Sequence, residues 1–168
     1  MKTTNEHLLD MGACLDAREW AEKYTTWEQI IGKCERSDWL LWLDNKMNIL
    51  DDKERRLLAV HFVRTTPLLD GRAVYDLLTD ERSRKALVVA ERFAKGRATS
   101  EELAAVEAAA EDAAWAAEAA AGAAAWAAAG TAAGAAAGDA AGVHQAKYIQ
   151  RKYGKRIIAT LNAKYRIK

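Results

Sequence analysis

Between Ala104 and Ala146 the chain is built almost entirely from two small residues: 26 of these 43 positions are Ala and five are Gly. Trp115 and Trp126 interrupt the run eleven residues apart, and the same step leads on to Ala137 and Tyr148. Glu107 and Glu118 repeat it. Eleven residues make three helical turns at ~3.67 residues per turn, so Trp115, Trp126, Ala137 and Tyr148 share a nearly straight stripe on an α-helix. Each buried Ala contributes less than the ~1.5–3 kcal/mol of a buried Leu or Phe. Neighbouring helices must therefore approach closely, and the six Trp of the chain supply the large apolar surfaces that Ala lacks.

The rest of the chain also reads as helices. Leu9, Ala13, Ala17, Trp20 and Tyr24 form a stripe over a first helix from Asn5 to about Lys23. Thr26 with Gln29 fits a capping box, followed by Trp27, Ile30, Ile31 and Cys34 at helical spacing. Ser37 is placed to cap a third helix from Asp38 to about Leu43. Asp51 with Glu54 opens a fourth, burying Leu57, Leu58 and Phe62 and stopping before Pro67. A short fifth covers Arg72 to Leu78. A sixth starts at Asp80, turns Ala86, Leu87, Ala90, Phe93 and Ala94 inward, and ends at Gly96. Thr99 with Glu102 caps the Ala-rich helix, read as mostly continuous to Tyr153, with Gly130-Thr131 and Gly138-Asp139 as alternative break points. No segment alternates as a strand does. The expected fold is all-α, a helical bundle of short helices packed on a long Ala-rich helix. Residues 1–98 form the short-helix region, 99–153 the long helix of the same domain, and 154–168 a basic C-terminal arm.

Charge is unevenly spread. Residues 147–168 hold eight Lys and Arg and no acid, against −7 for the remainder with all 24 acids. Ala119 to Gly138 is uncharged and long enough to span a bilayer, with Gly at every fourth position from Gly130. It has no Leu, Ile, Val or Phe to drive insertion, so no membrane span is expected. Cys14 and Cys34 make no disulfide framework, and no leader-like segment opens the chain, so a cytosolic location with reduced thiols is expected. Cys14, Cys34, His7, His61 and His144 show no metal-ligand spacing. Both cysteines fall on expected inward faces, and His61 at a core edge. The acidic pairs fit caps and solvated faces. These patterns lead us to expect no catalytic residue, no cofactor and no metal.

Three segments resemble a known group. Cys14-Leu15-Asp16-Ala17-Arg18-Glu19-Trp20 resembles the Cys-x-x-Ala-x-x-Trp element of small Ala-rich proteins encoded by tailed phages and prophages, some of which carry an immunity-protein label. Cys34-Glu35-Arg36-Ser37-Asp38-Trp39-Leu40-Leu41-Trp42-Leu43 resembles their Cys-x-Arg-Gly-Asp-Trp-Leu-Leu-Trp-Leu box, with Ser37 replacing Gly. Asp80 to Ala86 is similar to an Arg-Pro-Arg-Lys-Ala element without its Pro. The Glu91-to-Gly96 stretch and the Ala repeat follow in the same order. The resemblance implies a phage-related helical protein and transfers no catalytic residue.

Two surfaces stand out as candidates for partner binding. Trp39 and Trp42 belong to a residue type enriched at binding hot spots, although both also suit gaps left by Ala. The basic segment offers Arg151, Lys152, Lys155, Arg156, Lys164 and Arg166, interleaved with Tyr148, Tyr153 and Tyr165. Such a segment can neutralise phosphates and stack on bases, or simply form a solvated helix end pairing with acids elsewhere. The expected function is a non-catalytic, phage-related interaction protein. It would bind and block or protect a host-cell protein target, as immunity or anti-defence proteins do. The alternative is a nucleic-acid-binding accessory protein using residues 147–168. A homo-oligomer is compatible with either.

Overall fold

The computed structural model describes residues 2–68, 70–108 and 132–165. The fold is all-α, with no strand among the described residues; Pro67 and Ala73 form an isolated antiparallel bridge. The helices are α1 (Thr4–Met11), α2 (Leu15–Ala21), α3 (Trp27–Lys33), α4 (Ser37–Met47), α5 (Asp52–Thr65), α6 (Glu81–Ala94), α7 (residues 100–108) and α8 (Ala132–Lys164). Val74–Leu77 forms a 3₁₀ turn within the expected Arg72–Leu78 segment. The chain divides into two compact units: Met1–Leu50 with Gly142–Lys168, and Asp51–Ala141.

In the first unit the expected single helix from Asn5 to Lys23 is two. Gly12 sits at φ +79° and ends α1. Its N–H donates to the Leu9 carbonyl and the Ala13 N–H to the Leu8 carbonyl, the paired closure that a left-handed Gly allows. Thr3 and Glu6 close a capping box at the start of α1, which sequence reading overlooked. The break changes the register, and Leu9 is 56% exposed instead of buried. Cys14 becomes the exposed N-cap of α2, contrary to its expected inward position. Ser37 does not cap α4 either. It is the first helical residue, and its hydroxyl donates to Gln145 Oε1 of α8 at 2.9 Å. α4 runs one turn past the expected end, to Asn48 at φ +48°. The buried Asp44 carboxylate then accepts from the Leu50 N–H at 2.7 Å.

The core of this unit joins α1, α3 and α4 to the C-terminal part of α8. Trp27, Ile31, Leu40, Ile149, Ile157 and Leu161 are its largest fully buried apolar side chains. Each such side chain contributes about 1.5–3 kcal/mol. The Trp27 indole N–H donates to the Tyr165 carbonyl at 3.3 Å, and the Gln150 amide donates to the Ile31 and Cys34 carbonyls at 2.8 and 2.6 Å. These two carbonyls end α3, so α8 satisfies groups that a short helix leaves open.

The second unit packs α5 on α6, with Val89, Leu103 and Val106 forming a small core lined by Ala86, Ala90, Phe93 and Ala98. Asp51 and Glu54 form the expected capping box of α5, and Thr99 and Glu102 that of α7. Gly96 ends α6 at φ +68°, as its position in the sequence predicts.

α8 passes through Gly138-Asp139 without interruption. The other expected break point, Gly130-Thr131, lies outside the described residues, as do Trp115 and Trp126. The expected boundary between a long helix ending at Tyr153 and a separate arm from 154 does not hold. α8 continues to Lys164, because Ile149, Tyr153, Ile157 and Leu161 repeat every fourth residue and are all buried. Among the described residues no helix is long and apolar enough to cross a membrane.

Candidate functional site

The apolar side of α8 faces the first unit's core; its other side carries charge. Taking ~100° per residue, Lys147, Arg151, Lys155, Lys152 and Arg156 occupy an arc of ~180°. Ala146, Ile149, Tyr153, Ile157 and Leu161 fill the complementary arc and are buried. All five cations are exposed, and so is Lys164 at the helix's last residue. The row from Lys147 to Arg156 is about 14 Å long at ~1.5 Å per residue.

Local contacts orient part of this row. Lys152 Nζ donates to the Tyr148 hydroxyl at 3.1 Å and lies 5.1 Å from the Tyr153 ring centroid. Burial of its stem works against the charge, but the Tyr148 and Tyr153 hydroxyls raise its pKa above the ordinary lysine value. The Arg156 guanidinium stands 5.5 Å over the same Tyr153 ring, and Lys164 5.5 Å over Tyr165. Cation–π contacts of this kind contribute ~0.5–1 kcal/mol at exposed sites. Among the described residues, Lys147, Arg151 and Lys155 form no ion pair. The idea that the basic segment is neutralised by acids elsewhere is therefore not met for these three. Instead Lys147–Arg151, Arg151–Lys155 and Lys152–Arg156 are like-charge pairs four residues apart. Each works against the helix by ~0.2–0.5 kcal/mol.

Trp39 and Trp42 are placed differently. Both are half-buried and line a small apolar cavity of about 40 Å³ within the first unit, with Leu8, Trp20, Ile30 and Leu43. Trp20 meets Trp39 edge to face at 5.6 Å. Arg36 lies 4.8 Å over Trp39 and Lys46 5.9 Å over Trp42. Their main contacts are thus inward. Arg166 lies outside the described residues.

No family model, curated protein or solved structure matches this chain. Among the described residues no group of three or more His, Cys, Asp or Glu side chains is placed to hold a metal ion. Cys34 is buried, and burial pushes its thiol up to about 11, with its Sγ 3.3 Å from the Arg36 carbonyl. It is a weakly acidic core thiol rather than a nucleophile. In the second unit an open groove of about 470 Å³ is lined by Thr79, Glu81, Arg84, Lys85 and Val88. It mixes both signs of charge and selects neither.

The cationic face of α8 thus brings together four of the sequence-predicted residues, Arg151, Lys152, Lys155 and Arg156, and adds Lys147; Lys164, the last residue of the helix, falls in the sector of the apolar side. The signal that could have placed them on one helix was the four-residue apolar repeat from Ile149 to Leu161.

Proposed function

We propose that this protein is a non-catalytic binding protein whose working surface is the cationic face of α8, and that it acts by occupying a polyanionic partner. One observation carries the reading: a helix that buries one side holds like charges on the other at helical neighbour spacing, with three of them unpaired among the described residues. An anionic surface laid along the row turns those repulsions into attraction. The resemblance to phage-encoded, immunity-labelled proteins supports a blocking or protecting role in the host cell.

A second reading, a host-cell protein target engaged through the Trp39–Trp42 box, draws on that resemblance and on Leu41, which is 36% exposed between the two tryptophans. Capture from bacterial lysate with the full-length protein separates the two. Under the α8 reading, Lys147→Glu/Arg151→Glu/Lys155→Glu loses the captured partner and Leu41→Glu keeps it. The reverse pattern would transfer the function to the tryptophan box.

A further inference from the structure

We infer that the partner of the α8 face is a nucleic acid, held by its phosphate backbone. The inference rests on the reading above and names the partner class for that surface.

Composition separates the candidate polyanions. Protein–protein interfaces are depleted in Lys and in charge at their centre. Protein–nucleic acid interfaces are polar and strongly positive. Three of the five exposed cations on this face are lysines, and no acid occurs anywhere in residues 142–168. An interface with an acidic protein also needs an apolar centre to exclude water, and the apolar side of α8 is already committed to the core.

Spacing points the same way. Lys147, Arg151 and Lys155 step along the helix by ~6 Å each, a regular row suited to a regularly charged strand. Phosphate contacts are made by Lys, Arg and Tyr side chains of this kind, and they fix position without reading sequence. The Tyr153 ring is buried beneath Lys152 and Arg156, so it orients cations rather than offering a face to a base. Binding is therefore governed by charge, with little dependence on base sequence.

The test is fluorescence anisotropy with full-length protein against a labelled 20-mer DNA duplex, the matching single strand, and poly-glutamate as an acidic-protein stand-in. We expect both DNAs to bind and poly-glutamate to bind at least ~10-fold more weakly. Between ~50 and ~200 mM salt the duplex affinity should fall about 40-fold if three phosphates are neutralised and about 500-fold if all five cations of the face each neutralise one. Lys147→Gln/Arg151→Gln/Lys155→Gln should flatten the log–log salt slope by ~2.7, while the charge-matched control Lys23→Gln/Lys53→Gln/Lys85→Gln leaves it unchanged. If the triple variant does not melt like the parent, each single substitution should flatten the slope by ~0.9. Binding of poly-glutamate equal to or tighter than DNA overturns the nucleic-acid assignment and leaves a cationic docking face. DNA binding that ignores the α8 substitutions overturns the face itself. Failure to bind any of the three probes overturns both.

Discussion

At the residue scale, the two cysteines show how far position overrides type. Cys14 is exposed at a helix start, whereas Cys34 is 3% exposed behind α3. Burial raises the Cys34 pKa from its ordinary value near 9 to about 11, so the folded state prefers the neutral thiol. Its stabilising contribution is complete below pH ~9 and is lost as pH rises through ~11, amounting to about 2 kcal/mol. Urea midpoints measured at pH 8 and pH 11 should therefore fall further for the parent than for Cys34→Ala. Equal falls would mean that the thiol ionises as freely in the folded protein as in the unfolded chain. Cys34 is buried as the Trp27–Cys34 spacing predicts, whereas Cys14 reads as inward only if the first helix is continuous. Gly12 supplies the break, and one left-handed residue moved every later position of that segment to a new face.

At the scale of elements, glycine context decides sign. Gly12 at φ +79° is in a conformation that side chains resist, so Gly12→Ala should destabilise by ~1–2 kcal/mol. Gly154 lies inside α8, and a Cβ there would meet only Ile31 Cγ2 at 4.0 Å, an ordinary contact. Gly154→Ala should stabilise by up to ~1 kcal/mol, and thermal melts of the two variants should move in opposite directions. The C-terminal part of α8 is itself structural. Deleting Gly154 to Lys168 removes buried Ile157 and Leu161 and the carbonyl that receives the Trp27 indole N–H. The truncated chain should lose its cooperative melt, whereas reading this stretch as an arm implies an unchanged one. Circular dichroism on heating distinguishes them. The caps at Asp51, Thr99 and Gly96 were legible because each depends on residues within one turn. The packing of 154–164 was not, because the eight-cation composition of residues 147–168 outweighed a four-residue apolar repeat whose partner, α3, lies over a hundred residues away in sequence.

At the scale of the whole molecule, the all-α class followed from helical periodicity, while the split into two compact units did not. That split depends on Gly142–Lys168 joining Met1–Leu50, a long-range choice that no local pattern encodes. The cations were legible as candidates; their common face was not, because it follows from which side of α8 the core takes. The central claim is that one side of α8 holds the fold and the other holds the partner. Lysine acetylation footprinting, read by mass spectrometry with and without a saturating DNA duplex, tests it most directly. Lys147, Lys152 and Lys155 should be protected by the duplex, while exposed Lys23, Lys53 and Lys85 keep their reactivity. Protection confined to the second group, or spread evenly over all six, would contradict the account.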